Sequence, residues 1–167
     1  MKRATTLFSL IVFFTLLAGC GTAKNLSGGA PMDIKEFSFH HTASEATDCY
    51  RFELNRSDGE VHLYAEELFY NGRIVDTAVD ENLLARIGEL AGTLGVADWD
   101  GFDKTAKRGS DGSSFTLNIT LTDGSTISAH GSNRFPDNYS LLYAEVNALY
   151  VELMELYGTY TEGDELP

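Results

Sequence analysis

Basic side chains are scarce in this sequence: 12 Lys and Arg stand against 25 Asp and Glu in 167 residues, a formal net charge of −13 with a pI near 4.5. That balance excludes nucleic acid as a partner, because phosphate binding needs clustered Lys and Arg. The marked apolar run, Leu7 to Leu17 with Ser9 and Thr15 inside it, falls short of the roughly 20 apolar residues that span a bilayer. Proline is rare at three positions, and 16 glycines supply turns without making the chain low in complexity. Motifs for phosphate cradling and dinucleotide binding are absent. His130-Gly131-Ser132 is not a nucleophile elbow, which needs Gly-x-Ser-x-Gly at a strand-to-helix turn. What remains is 43% hydrophobic residues in a length natural for one small domain with a real core.

Residues 1–19 read as an export signal: Lys2 and Arg3 precede the apolar run, and Leu17-Ala18-Gly19-Cys20 follows it. Position, charge, apolar run and all four box residues together resemble the lipobox of bacterial lipoproteins. The resemblance implies that the Cys20 thiol takes a diacylglyceryl group and that cleavage leaves Cys20 as the new N-terminus. Two acyl chains make a stable attachment where one is marginal, at ~0.8 kcal/mol per buried CH2. Loss of residues 1–19 removes Lys2 and Arg3 but no acid, leaving 10 basic against 25 acidic side chains. An anionic lipid surface repels such a body, so the expected membrane attachment is through lipid on Cys20 alone. Residues 20–33 are expected to be the lipidated Cys and a flexible tether rich in Gly, Ser, Ala and Thr. With Cys20 committed to lipid, Cys49 has no partner in the chain, and a disulfide-stapled fold is excluded. Cys49 reads as a small buried hydrophobe in a strand-like run.

Periodicity organises the body. Phe37 and Phe39 suggest a short first strand, and Tyr50, Phe52 and Leu54 alternate with polar residues. Ser57-Asp58-Gly59 turns the chain into Val61, Leu63 and Ala65, which makes a hairpin. Asn71-Gly72 is a further turn dipeptide, flanked by Leu68–Tyr70 and Arg73–Val79. The period then changes. Leu83, Ile87, Leu90 and Leu94 are spaced 4, 3 and 4, with Asp80 placed as N-cap, Val79 and Leu84 as a hydrophobic staple and Gly95 as terminator. The helix predicted over 80–94 holds Gly88 and Gly92, which would allow close approach to the sheet. A polar loop is expected from Asp103 to Gly112. Phe115 to Leu121 alternates cleanly, Asp123-Gly124 turns, and Thr126 to Gly131 returns. A second helix is predicted over 139–157 from Leu142, Val146, Leu149, Leu153 and Leu156.

The expected fold is therefore α+β: an antiparallel sheet built from hairpins, with both helices packed on one face and a wet face carrying Thr and Ser. One domain is expected over 34–158, followed by a frayed acidic tail over 159–167. The Gly-Ser-Asn-x-x-Pro stretch at 131–136, with Trp99 and Asp111-Gly112-Ser113 upstream, resembles small uncharacterised bacterial extracytoplasmic domains over about residues 96–157. That resemblance carries no activity with it.

Two features point to contact with something else. The 131–139 loop gathers Asn133, Arg134, Phe135 and Tyr139 beside a helix N-terminus, a set suited to a polar or anionic group. Tyr139, Tyr143, Tyr150 and Tyr157 recur at spacings of 4, 7 and 7 along the last helix, and tyrosines suit interfaces. Their alternative role is to flank the core stripe with hydroxyls reaching water. No cofactor and no metal is expected: Asp98, Asp100 and Asp103 miss the calcium-loop pattern, and His40-His41 point to opposite sides of a strand. The expectation is an extracytoplasmic, membrane-anchored binding module for an envelope protein or small ligand, not an enzyme. The alternatives are an envelope-polymer hydrolase using Asp98, Asp100 or Asp103, or an inhibitor-like structural protein.

Overall fold

A computed structural model describes residues 29–44, 49–68, 72–106 and 112–160. The export signal, Cys20 and the first part of the tether lie outside the described residues, as do 69–71 of the Asn71-Gly72 turn, 107–111 of the polar loop and 161–167 of the tail. The elements run β1 (Ile34–Thr42), β2 (Tyr50–Ser57), β3 (Glu60–Glu67), β4 (Arg73–Val79), α1 (Glu81–Leu94), a 3-10 turn (Val96–Trp99), β5 (Phe102–Thr105), β6 (Ser114–Leu121), β7 (Thr126–Ser132), α2 (Tyr139–Tyr157) and β8 (Thr159–Tyr160). The eight strands form one sheet in the order β5-β7-β6-β1-β2-β3-β4-β8. Every pairing is antiparallel except β5 with β7. The fold is α+β, with both helices packed on one sheet face, as the alternating strands and the two helical stripes imply.

Local chemistry explains the hairpins. Asp58 and Gly59 both have positive φ (54° and 84°), the type I′ geometry whose twist matches the flanking strands. At the β6–β7 turn, Gly124 takes φ 87° and the Asp123 carboxylate accepts from the Ser125 backbone N–H at 2.8 Å. β1 sits in the middle of the sheet and joins the two strand groups, pairing Phe39 with Phe52 on one side and with Leu117 on the other. Phe37, Phe39, Phe52, Leu54, Leu63, Phe115, Leu117 and Ile119 all point from the sheet to the helices and are essentially solvent-free. The opposite face is open and of two characters. Over β1, β6 and β7 it carries Ser38, Thr116, Asn118, Thr120, Thr126 and Ser128. Over β2 to β4 it carries Arg51, Glu53, His62, Glu66 and Asp76.

Several expectations are corrected. The tether does not run free to residue 33: Gly29 N–H donates to Gly92 O at 3.0 Å and Met32 N–H to Gly88 O at 3.1 Å, so 29–33 lies along α1. Gly88 and Gly92 therefore admit this segment rather than the sheet. A Cβ on Gly88 would collide with the Met32 carbonyl oxygen, and one on Gly92 with that of Ala30. Part of the expected polar loop is β5, an edge strand parallel to β7. The expected tail begins with β8, whose Thr159 and Tyr160 pair with Ile74 and Arg73. β4 pairs antiparallel with β3, from Val61 opposite Val79 to Glu66 opposite Ile74, across the expected Asn71-Gly72 turn; residues 69–71 lie outside the described residues.

Candidate interaction site

α2 enters from the 131–139 loop, whose backbone shape is set by residues with special dihedrals. Asn133 has φ 52° and donates its backbone N–H to Ser113 O at 2.9 Å. Its side chain fills the space over Gly112, where any Cβ would collide with the amide. Gly131 lies under the Arg134 carbonyl and the Phe115 ring, so the loop folds tightly back on itself. Asn138 has φ 64° and spends its side-chain N–H on Leu94 O at 3.1 Å, tying the start of α2 to the end of α1. Its side chain makes no capping bond to α2.

The loop divides the candidate residues. Arg134 is exposed and forms no ion pair among the described residues. Phe135 is 38% exposed and stacks on Tyr139 with ring centres 4.5 Å apart. Asn133 is half-buried. Tyr139 and Tyr150, expected as contact residues, are instead buried. The Tyr139 ring packs 4.5 Å from Phe115, and its hydroxyl lies 3.0 Å from His41 Nδ1. Tyr150 stacks on Tyr50 at 4.3 Å. Tyr143 is half-buried against the His41 ring at 4.5 Å. Burial raises the pKa of both buried phenols; Tyr143 reinforces the effect at Tyr139, and the Glu67 carboxylate does so at Tyr150. The tyrosine line turns toward the core because its spacing puts it beside Leu142, Val146 and Leu149; Tyr143 is partly accessible and Tyr157 reaches solvent. The buried Tyr139 and Tyr150 position the helix and cannot meet a partner directly.

The residues free to do so lie elsewhere on the same segment. Among the described residues, the exposed large hydrophobics are Phe135, Leu141, Val151, Leu156, Tyr157 and Tyr160, all within 135–160. Leu156 was expected in the core and is 64% exposed, while Met154 takes the core position. The signal for this exposed set was present in the sequence, since α2 is apolar around most of its circumference. It was hidden by the stronger inward stripe.

Other candidate chemistry is structurally occupied. Asp100 accepts the Ser128 backbone N–H at 3.0 Å, pinning the turn after Trp99 to β7. Asp98 and Asp103 are exposed. His41 is buried and His40 is turned to the open face, where Nε2 lies 3.2 Å from Glu53. Among the described residues no three His, Cys, Asp or Glu converge as a metal site would require. Cys49 is buried with its sulfur 3.1 Å from the Ala43 N–H. A hollow of about 260 Å³ between 29–32 and the end of α1 is lined by glycines and alanines with Met32 and Asp98, below the usual size of ligand pockets. Among the described residues no helix is long and apolar enough to cross a membrane. No protein-family model and no curated protein matches the chain.

Proposed function

We propose that this chain is a membrane-anchored extracytoplasmic lipoprotein that works as an interaction module in the cell envelope. Its contact surface is the 131–139 loop, through Arg134 and Phe135, together with the outward side of α2. The observation that carries the reading is that, among the described residues, the exposed large hydrophobics are confined to 135–160. Scattered exposed apolar residues need no explanation, whereas a local concentration marks contact with a partner. The charge, apolar run and Cys20 box at the N-terminus support the lipid anchor. Anchoring raises the effective concentration of the module for envelope partners.

Cys20→Ser is expected to abolish fatty-acid labelling and release the chain from membranes; continued labelling would remove the anchor from the reading. A thermal-shift panel of sugars, cell-wall fragments, amino acids and peptides tests the loop. A ligand at about 100 times its Kd stabilises by ~2.7 kcal/mol. A shift that survives Arg134→Ala would place binding away from the loop.

A further inference from the structure

The outward side of α2 carries a second apolar line. At about 100° per residue, Leu141, Ala144, Ala148 and Val151 fall within one arc of about 80°, opposite the core-facing Leu142, Val146 and Leu149. All four are exposed, Leu141 at 48% and Val151 at 45%. Their 3, 4 and 3 spacing is that of the seam between paired helices. Two alanines at its middle let a neighbouring helix approach closely. Glu145 and Glu152 border the seam on one shoulder, Glu155 closes its C-terminal end, and α2 contains no Lys, Arg or His.

We propose that this seam docks an amphipathic helix of a partner protein that carries Lys or Arg beside its own apolar stripe. The proposal rests on the reading of the chain as an interaction module and names the chemistry of its partner. Charge decides the occupant. A second copy would set three glutamates against three glutamates, and an anionic bilayer would meet the same acidic shoulder. A basic flank gains at Glu145 and Glu152 what those alternatives lose. The seam is short, ~15 Å from Leu141 to Val151 at 1.5 Å per residue. A strip of that length and about one helix diameter (~10 Å) wide covers on the order of 150 Å², well below the ~800 Å² per partner of a standard interface. The contact is accordingly weak and salt-sensitive, and membrane anchoring makes it effective by concentrating the module near its partner.

The test titrates the full-length chain, held in neutral-lipid nanodiscs, with a fluorescent three-heptad peptide bearing Leu along the seam and Lys beside it. The matched peptide with Glu in place of Lys is run alongside. The Lys peptide should bind and the Glu peptide should not. Val151→Asp and, separately, Ala148→Glu should each weaken binding about tenfold or more, with unchanged circular dichroism and melting. Glu145→Gln with Glu152→Gln should weaken it several-fold and flatten its salt dependence, while Ala85→Asp on α1 should leave it unchanged. Equal binding of both peptides, or full binding by Val151→Asp and Ala148→Glu, would overturn the proposal. So would a self-dimer, or binding to anionic vesicles, that those substitutions abolish, since the occupant would then be a second copy or the bilayer. Fatty-acid labelling of the same preparation keeps the two readings apart: its loss would sink the anchor and leave the peptide result standing.

Discussion

The two helices lie on the same sheet face and are held there by different means. α1 follows local rules. The Asp80 carboxylate accepts the Asn82 N–H at 2.8 Å, Gly95 closes the C-terminus at φ 70°, and the outer residues Glu81, Asn82, Arg86, Glu89 and Thr93 are mostly polar and exposed. α2 has a left-handed Asn138 with no side-chain capping bond at its start, ends in extended backbone at Gly158, and carries Leu141, Ala144, Ala148 and Val151 exposed on its outer side beside Glu145 and Glu152. Its hold is tertiary, through Tyr139, Tyr143 and Tyr150 stacked among Phe115, His41 and Tyr50. A helix that needs only its inner face for folding leaves its outer face available for another purpose, and in α2 that face is where the apolar residues remain.

The largest expected effect tests whether the aromatic packing holds α2. Tyr150→Ala removes the ring stacked on Tyr50 and should cost about 3–5 kcal/mol, read from denaturant midpoints. A loss below ~1 kcal/mol would show that the stack contributes little. Alkaline titration sharpens the same point. Folding holds both buried phenols above their ordinary pKa of 10, so the unfolded chain ionises first. The stability they contribute is complete below pH 10 and lost as pH rises beyond it. Tyr139→Phe and Tyr150→Phe should each make that alkaline decline shallower.

Next comes a substitution whose sign differs between the helices. Gly88→Ala in α1 should gain about 0.8–1.0 kcal/mol of helix propensity. Its methyl, however, lands against the Met32 carbonyl, and the cost of overpacking is about 1–3 kcal/mol. The net expectation is a loss, with faster amide exchange at Met32. A net gain would mean that 29–33 detaches readily from α1. In α2 the reverse change, Ala148→Gly, meets only solvent and should cost about 1 kcal/mol through propensity alone.

The same contrast governs how much could be read from the sequence. α1 was legible to its ends because Asp80, Gly95 and the 4-3-4 apolar spacing all state their roles within one helix length. The hairpins were legible because Asp58-Gly59 and Asp123-Gly124 join runs with strict alternation. β5 was not, since Phe102–Thr105 has one apolar residue and owes its strand geometry to β7. Nor was the docking of 29–33, which is made by backbone groups; its trace was the Gly88 and Gly92 pair, read as an approach to the sheet. In the candidate site Arg134 and Phe135 lie exposed on the 131–139 loop, while Tyr139 and Tyr150 are buried. The burial was not legible because tyrosine serves cores and interfaces alike, and only the partner rings of Phe115 and Tyr50 decide between them.

Capping gives a smaller test of the comparison. Asp80→Ala should destabilise by about 1 kcal/mol through loss of the Asn82 bond. Asn138→Gly should behave differently: it relieves the positive φ but gives up the side-chain bond to Leu94 O. These effects oppose each other, leaving a change within about 1 kcal/mol of either sign. Equal losses at the two positions would mean that α2 depends on its first turn as α1 does.

The smallest expected effect is the most informative about what α2 is for. Val151→Ser lies 45% exposed on the outer seam and should change stability by no more than about 0.5 kcal/mol. Ile87 on α1 is fully buried, and Ile87→Ala should cost about 2–5 kcal/mol. A side chain that folding does not need, yet which continues an apolar line with Leu141, Ala144 and Ala148, supports the proposed contact outside the domain. If Val151→Ser instead lowers the melting temperature by as much as a core truncation, the seam is covered within the chain itself, and the outward side of α2 belongs to the fold rather than to a partner.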